Sequence, residues 1–306
     1  MGQESTAARS RTQTAHAKLN LVLRILAREA SGYHGIETLF QRLALHDVVD
    51  VTVSDAPKSL TCAGPSMPAN GLGPVEQNLA WRAAEAYCAA AAWGTNWQIA
   101  ITKHIPVGGG LGGGSADAAA VLRALESLCP TPLGLARLLE IGGRLGADVP
   151  FLVSEEALAW GWGRGDRLLP LPALPAMAAT LVAFSEGVNT GAAYGAFADA
   201  RVARGETVSA YAYPPDAFGS WDFVAALATN DFEQVVPSLH AGVALVLPAV
   251  RDVARQLTAQ GHASVGLMSG SGATCFVLHP VGTTVALDLP EGARVVTTTT
   301  MGPATA

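Results

Sequence analysis

Six of the ten residues from 106 to 115 are glycine, in the run Pro106-Val107-Gly108-Gly109-Gly110-Leu111-Gly112-Gly113-Gly114-Ser115. Residues 97–103 before it alternate and read as a strand. Ala118-Ala119-Ala120-Val121-Leu122 after it reads as a helix. Glycine exposes backbone N–H groups and tolerates positive φ. At a helix N-terminus such groups add to the helix dipole and make an anion site, and a nucleotide phosphate is the obvious anion. A flexible linker shares this composition, but a linker is not bounded so tightly by a strand and an alanine-rich helix. The run is not a Walker loop, because Gly114-Ser115-Ala116 carries no lysine. Nor is it a dinucleotide fingerprint, since neither Glu126 nor Glu140 ends a second predicted strand. A phosphate loop without its own lysine must draw positive charge from elsewhere in the chain.

With 306 residues, half of them apolar and 14% charged, the chain can bury one large core or two modest ones. A net charge of −6 argues against a nucleic-acid partner, which needs a basic face. Cys62, Cys88, Cys129 and Cys275 form no closely spaced pair, so neither a zinc site nor a redox C-x-x-C motif is indicated. The polar first fourteen residues lack the apolar stretch of a signal peptide, and no run reaches the length of a membrane span. The expectation is a cytoplasmic protein with no membrane and no nucleic-acid partner.

Residues 15–27 alternate, with Ala15, Ala17, Leu19, Leu21, Leu23 and Ile25 on one face and His16, Lys18, Asn20 and Arg24 on the other. Lys18 and Asn20 are adjacent on that polar row, which a solvated strand face also explains. After a turn at 30–32 come Tyr33 and His34, suited to stacking on and hydrogen bonding a planar base, or equally to a buried ring and a solvated one. Strands follow at 36–45 and 48–54, joined at His46-Asp47, then a loop at 55–75. Residues 77–92 read as a helix with Asn78 in its first turn, where a cap is its plain role. Lys103 ends the strand that feeds the glycine run. Ser115 and Asp117 stand in the first turn of the next helix, and Ser115 suits a cap, a phosphate contact or a metal contact. Residues 132–145 form a further helix, which ends at Gly146-Ala147-Asp148-Val149-Pro150, with helix capping the plain role for Asp148. The glycines and prolines beyond 160 suggest a boundary, with one domain at 1–160 and a second at 161–306. In the second, strands are predicted at 179–184, 263–268, 273–278 and 293–299, and helices at 190–198 and within 221–228 and 237–260. A second glycine turn, Ser269-Gly270-Ser271-Gly272, joins two of these strands as a tight hairpin or a phosphate contact.

Taken in order, Ala17-Lys18-Leu19-Asn20, Gly32-Tyr33-His34, the run 106–115, Gly146-Ala147-Asp148-Val149-Pro150 and Ser269-Gly270-Ser271-Gly272-Ala273 resemble the GHMP kinase superfamily over nearly the whole chain. The glycine run and the second glycine turn mark only the superfamily. The Lys-Leu-Asn, Gly-Tyr-His and Gly-Ala-Asp-Val-Pro segments are similar to the branch acting on a cytidylyl methylerythritol in non-mevalonate isoprenoid synthesis. The resemblance implies a two-domain α+β fold with ATP and substrate meeting in the cleft between the domains. It implies Asp148 as catalytic base and Lys18 as its charge-stabilising partner, keeping the carboxylate ionised. Pro106, Gly108, Gly109, Gly110, Leu111, Gly112, Gly113, Gly114 and Ser115 would wrap the ATP phosphates, with Asn78 and Lys103 near the adenine. Asn20, Tyr33, His34 and Tyr194 would bind the small-molecule cytidylyl substrate, with Phe197 in reserve for Tyr194. Mg²⁺ would bridge phosphate oxygens, with no ligand residue assigned.

Two features depart from that pattern. Ala116-Asp117 stands where the superfamily branch often has Ser-Asn or Ser-Ser, which puts a carboxylate beside the phosphates. Gly35 follows His34 where a larger polar residue is usual. Competing readings are a kinase of mevalonate, phosphomevalonate or homoserine, a decarboxylase of the same superfamily, and a non-catalytic nucleotide-binding module.

Overall fold

The protein is described from a computed structural model covering residues 8–28, 34–205, 212–214 and 216–303. Tyr33 and most of the 206–215 segment lie outside the described residues. The chain divides into two compact units, Met1–Ala17, Leu45–Val107 and Gly112–Glu155 in one, and Lys18–Ala44, Gly108–Leu111 and Glu156–Ala306 in the other. One break falls after Glu155. Residues 18–44 and 108–111, however, group with the second unit. Each unit holds part of two long strands, β1 (Arg9–Arg28) and β2 (His34–Ser54).

In the first unit, the later part of β2 pairs antiparallel with β4 (Asn96–Thr102), in a register running from Val48 opposite Thr102 to Ser54 opposite Asn96. The short β3 (Ser59–Ala63) pairs parallel with β4. Trp97, Ile99 and Ile101 are buried on one face of β4, as its alternation predicts. Four helices complete the unit: α1 (Leu79–Ala90), α2 (Gly113–Leu128), α3 (Leu135–Leu145) and α4 (Val149–Ser154). Ala80, Ala83 and Ala84 of α1 and Ala116, Ala119 and Ala120 of α2 are fully or almost fully buried, and these small side chains let helix axes approach. Glu126, considered above as a nucleotide carboxylate, instead accepts from Tyr87 Oη at 2.6 Å and from the N–H groups of Leu133 and Gly134.

In the second unit, Ile36 to Gln41 of β2 pairs antiparallel with β5 (Leu158–Gly163), which forms a hairpin with β6 (Arg167–Leu171). A separate antiparallel sheet has the order β11-β7-β10-β9, from β7 (Ala178–Phe184), β9 (Val265–Met268), β10 (Cys275–His279) and β11 (Ala293–Thr299). The two-residue β8 (Thr229–Asn230) runs parallel beside Val22 and Leu23. Helices α5 (Thr190–Arg204), α6 (Trp221–Leu227), α7 (Val236–Leu239) and α8 (Ala241–Ala259) surround them. Val243, Val246, Leu247 and Val250 of α8 join Cys275 and Val277 of β10 in one core.

Three segments differ from expectation. β1 begins at Arg9, well before the alternation that starts at residue 15; it is exposed there and shows no hydrophobic alternation, but Thr12 Oγ1 donates to the Asp50 carboxylate across the strands. β2 runs unbroken through His46-Asp47, because the Asp47 carboxylate is fully paired inside the structure. The glycines at 161–165, read as a boundary, belong to the β5–β6 hairpin.

Candidate active site

The glycine run turns on alternate residues: Gly108, Gly110 and Gly112 have φ of +76°, +78° and +73°. These are left-handed values that glycine adopts without strain. Pro106 and Leu111 are buried and anchor the run. Gly112 is the N-cap of α2 and supplies no side-chain acceptor, so the first-turn N–H groups of Gly113, Gly114 and Ser115 are left for another partner. This is the helix N-terminus that the sequence predicts.

The cation missing from the run comes from β1. Lys18 Nζ donates to the Gly110 carbonyl at 2.9 Å and to Asn20 Oδ1 at 2.6 Å. Asn20 Nδ2 donates in turn to Thr38 Oγ1 at 2.8 Å, and both Lys18 and Asn20 are only 3% exposed. The solvated-face reading of Lys18 is therefore excluded. The second glycine turn meets the same stretch: Ser269 Oγ donates to Gly110 O at 3.0 Å, and Thr274 N, just beyond the turn, donates to Gly109 O at 3.1 Å. Asn230, which no sequence motif singles out, holds that turn by donating to the carbonyls of Met268 and Gly270 at 2.7 and 2.8 Å. A buried asparagine in a two-residue strand leaves no pattern to find it by.

Asp148 stands at the N-cap of α4, but its side chain makes no cap hydrogen bond. The capping role weighed above does not account for it. Ser115 belongs to the same neighbourhood, since a Cβ built on Gly146 would lie 3.8 Å from Ser115 Oγ. Asn78 does cap a helix: its Oδ1 accepts from Ala80 N at 2.9 Å, leaving its amide nitrogen outside the cap.

Lys103, expected near the adenine, is turned into the protein. It is 2% exposed, and its ammonium donates to Asp47 Oδ2 and, at 2.6 Å, to Asp117 Oδ2. Asp117, the carboxylate that departed from the usual pattern, is thus matched by a lysine. Burial pushes its carboxyl up to about 7 against the opposing pull of Lys103. Burial also works against the Lys103 ammonium, but Asp117 and Asp47 more than offset it and hold its pKa above the usual lysine value. In the sequence Asp47 looks only like a strand junction.

His34 and Tyr194 stack on each other, with ring centroids 5.0 Å apart and planes 10° apart. Tyr194 also packs edge-on against Phe232 at 4.8 Å. Phe197, the reserve candidate, is 4% exposed and belongs to the core. Tyr33 lies outside the described residues.

Residues 78–156 match the GHMP kinases N terminal domain family. A 4-diphosphocytidyl-2-C-methyl-D-erythritol kinase from Pelobacter propionicus is 36% identical over 272 residues, 88% of this chain and 90% of that protein. A solved 4-(cytidine 5'-diphospho)-2C-methyl-D-erythritol kinase superposes with a TM-score of 0.63 at 30% identity, covering 95% of this chain and all of that one. The L. major mevalonate kinase, solved with R-mevalonate, superposes at 0.67 and covers both chains fully, but at 10% identity. The mevalonate kinase likeness is therefore one of fold alone. Identity, and not backbone similarity, separates the branches.

Proposed function

This chain belongs to the 4-diphosphocytidyl-2-C-methyl-D-erythritol kinases of the GHMP superfamily, and on that premise we propose that it phosphorylates the 2-hydroxyl of that compound with ATP, in the cytoplasm, for isoprenoid synthesis. The observation that carries the reading is the Lys18 ammonium 2.9 Å from the Gly110 carbonyl. A phosphate loop with no lysine of its own has one supplied from a strand ninety-two residues earlier.

Phosphoryl transfer asks a protein mainly for position and charge stabilisation. In this reading the N–H groups at the start of α2 bind phosphate oxygens. Lys18 stabilises charge on the transferring group. Asp148 accepts the proton of the attacking hydroxyl as the new O–P bond forms and ADP leaves. Among the described residues no group of three His, Cys, Asp or Glu side chains could hold a metal ion. Mg²⁺ uses one or two protein oxygens and takes the rest from phosphates and water. Ser115, in the first turn of α2, would offer its hydroxyl oxygen, and the ion would neutralise phosphate charge. His34, backed by Tyr194, recognises the cytosine, and Asn78 lies near the adenine. The first unit carries most of the ATP side and the second most of the substrate side.

A coupled ADP-release assay on a panel of alcohols tests the proposal. Turnover with the cytidylyl methylerythritol alone is the expected result. Turnover with mevalonate, phosphomevalonate or homoserine would move the protein to another branch. No ADP release with any of them would indicate a binding module.

His34→Ala is expected to raise KM for the cytidylyl substrate about tenfold or more, the loss of one base contact and its stack, while KM for ATP changes little. Initial rates with each substrate varied in turn decide it. Equal rises in both constants would remove the cytosine assignment.

A further inference from the structure

We propose that Asp47, Lys103 and Asp117 form a buried staple that fixes the two ends of the glycine run, and so act as positioning residues for the phosphate donors. The phosphate role rests on the reading above; the staple itself rests on geometry alone.

Lys103 stands just before the run, one residue beyond the end of β4, and Asp117 stands within α2 just after it. Their side chains meet at 2.6 Å across fourteen residues of chain. One ion pair therefore closes the loop that contains every glycine of the run. Asp47 comes from a third element, β2, and holds the run where it leaves β4. Its Oδ2 takes the Lys103 ammonium, while its Oδ1 accepts from His104 N at 2.5 Å and Ile105 N at 2.8 Å. One carboxylate thus fixes both the lysine and the first backbone turn of the run.

The staple also underlies the helix start. A Cβ built on Gly113 would meet Ile105 Cγ2 at 3.2 Å and Lys103 Nζ at 3.6 Å. The residue that begins α2, and offers one of its unpaired N–H groups, sits directly over the staple. All three residues are at most 2% exposed. Such bonds are directional and lose little to solvent, but losing one partner leaves a buried charge unmatched. Helix-terminal N–H groups bind phosphate well only if their geometry is set beforehand, because ordering them on binding weakens affinity.

Asp117 is the member that can be removed with least disturbance. Lys103 donates to its Oδ2, while its Oδ1 has no partner, and Lys103 stays paired with Asp47 when it is gone. In Asp117→Ala, amide hydrogen exchange across residues 104–113 of the nucleotide-free protein should accelerate at least tenfold, with the rest of the molecule unchanged. KM for ATP should rise about tenfold, and KM for the second substrate far less. Asp117→Asn keeps an oxygen acceptor of the same shape, so both readouts should stay near the parent values.

Faster exchange throughout the molecule would mean a general stability role and overturn the proposal. So would a raised KM for ATP with unchanged exchange in the run, which would make Asp117 a direct nucleotide contact. An Asn variant as impaired as the Ala variant would overturn the tether as well. Should Asp117→Ala not fold, the double variant Lys103→Met with Asp117→Asn cuts the same link while leaving Asp47 its two backbone donors. It must show the same local acceleration, and its absence overturns the staple. The exchange measurement needs neither nucleotide nor activity, so it stands even if the kinase reading fails.

Discussion

Asp148→Asn is expected to lower turnover by about 10²–10⁴-fold, the range for removing a general base, with ATP affinity close to the parent protein. The substitution changes one atom and keeps the side-chain shape. Asparagine is also among the preferred residues at a helix N-cap. Asp148 makes no side-chain hydrogen bond that caps α4, so the helix start loses none in the variant. Thermal unfolding should match the parent, and steady-state rates with calorimetric ATP binding would separate loss of chemistry from loss of binding. A variant that turns over normally would show that Asp148 takes no proton.

Gly110→Ala is the second large effect, and it acts through shape alone. At φ +78° an alanine is strained wherever it sits. Here its Cβ would also lie 3.0 Å from the Ser269 carbonyl carbon, closer still to that carbonyl's oxygen, and 3.2 Å from Gly272 O. All three are backbone atoms, which cannot swing aside as a side chain can. Relief requires the glycine run to move off the second glycine turn. The Gly110 carbonyl would then leave both the Lys18 ammonium and the Ser269 hydroxyl. Strain of this kind costs roughly 1–3 kcal/mol before the contact is counted. Turnover should fall by about a hundredfold or more, because misplacing catalytic groups by about 1 Å has that consequence. Kinetics on protein shown to be folded by circular dichroism would check it. Parent-level activity would mean that Gly110 does not set the position of Lys18.

Some of this site could be read before any coordinates. The glycine run lies between β4 and α2, where the flanking alternation and alanine-rich helix put it. Lys18 and Asn20 share a strand row, which their spacing requires, and they touch at 2.6 Å. Other features left no local trace. Asp47 looks like a strand break, and only the ammonium and two backbone N–H groups waiting for it let β2 continue. Lys103 reads as a loop-side cation, but Asp47 and Asp117 draw it inward. Tyr194 reads as one wall of a base site, and its stack on His34 joins residues 160 positions apart. The strand at Arg9 has no apolar alternation, because it is exposed on both faces where it begins.

The sequence by itself determined which chemistry is available: a glycine run suited to phosphate-like anions, no lysine within it, and a lysine on an earlier strand. It also determined most element types, since periodicity and glycine placement act over a few residues. Only the tertiary structure decided which charges face each other. Buried charges choose partners by proximity and desolvation, and both depend on residues far apart in the chain. So Lys18 meets Gly110, while Lys103 turns away to Asp47 and Asp117. Two lysines that look alike in the sequence therefore have different jobs, one at the phosphate loop and one beneath it.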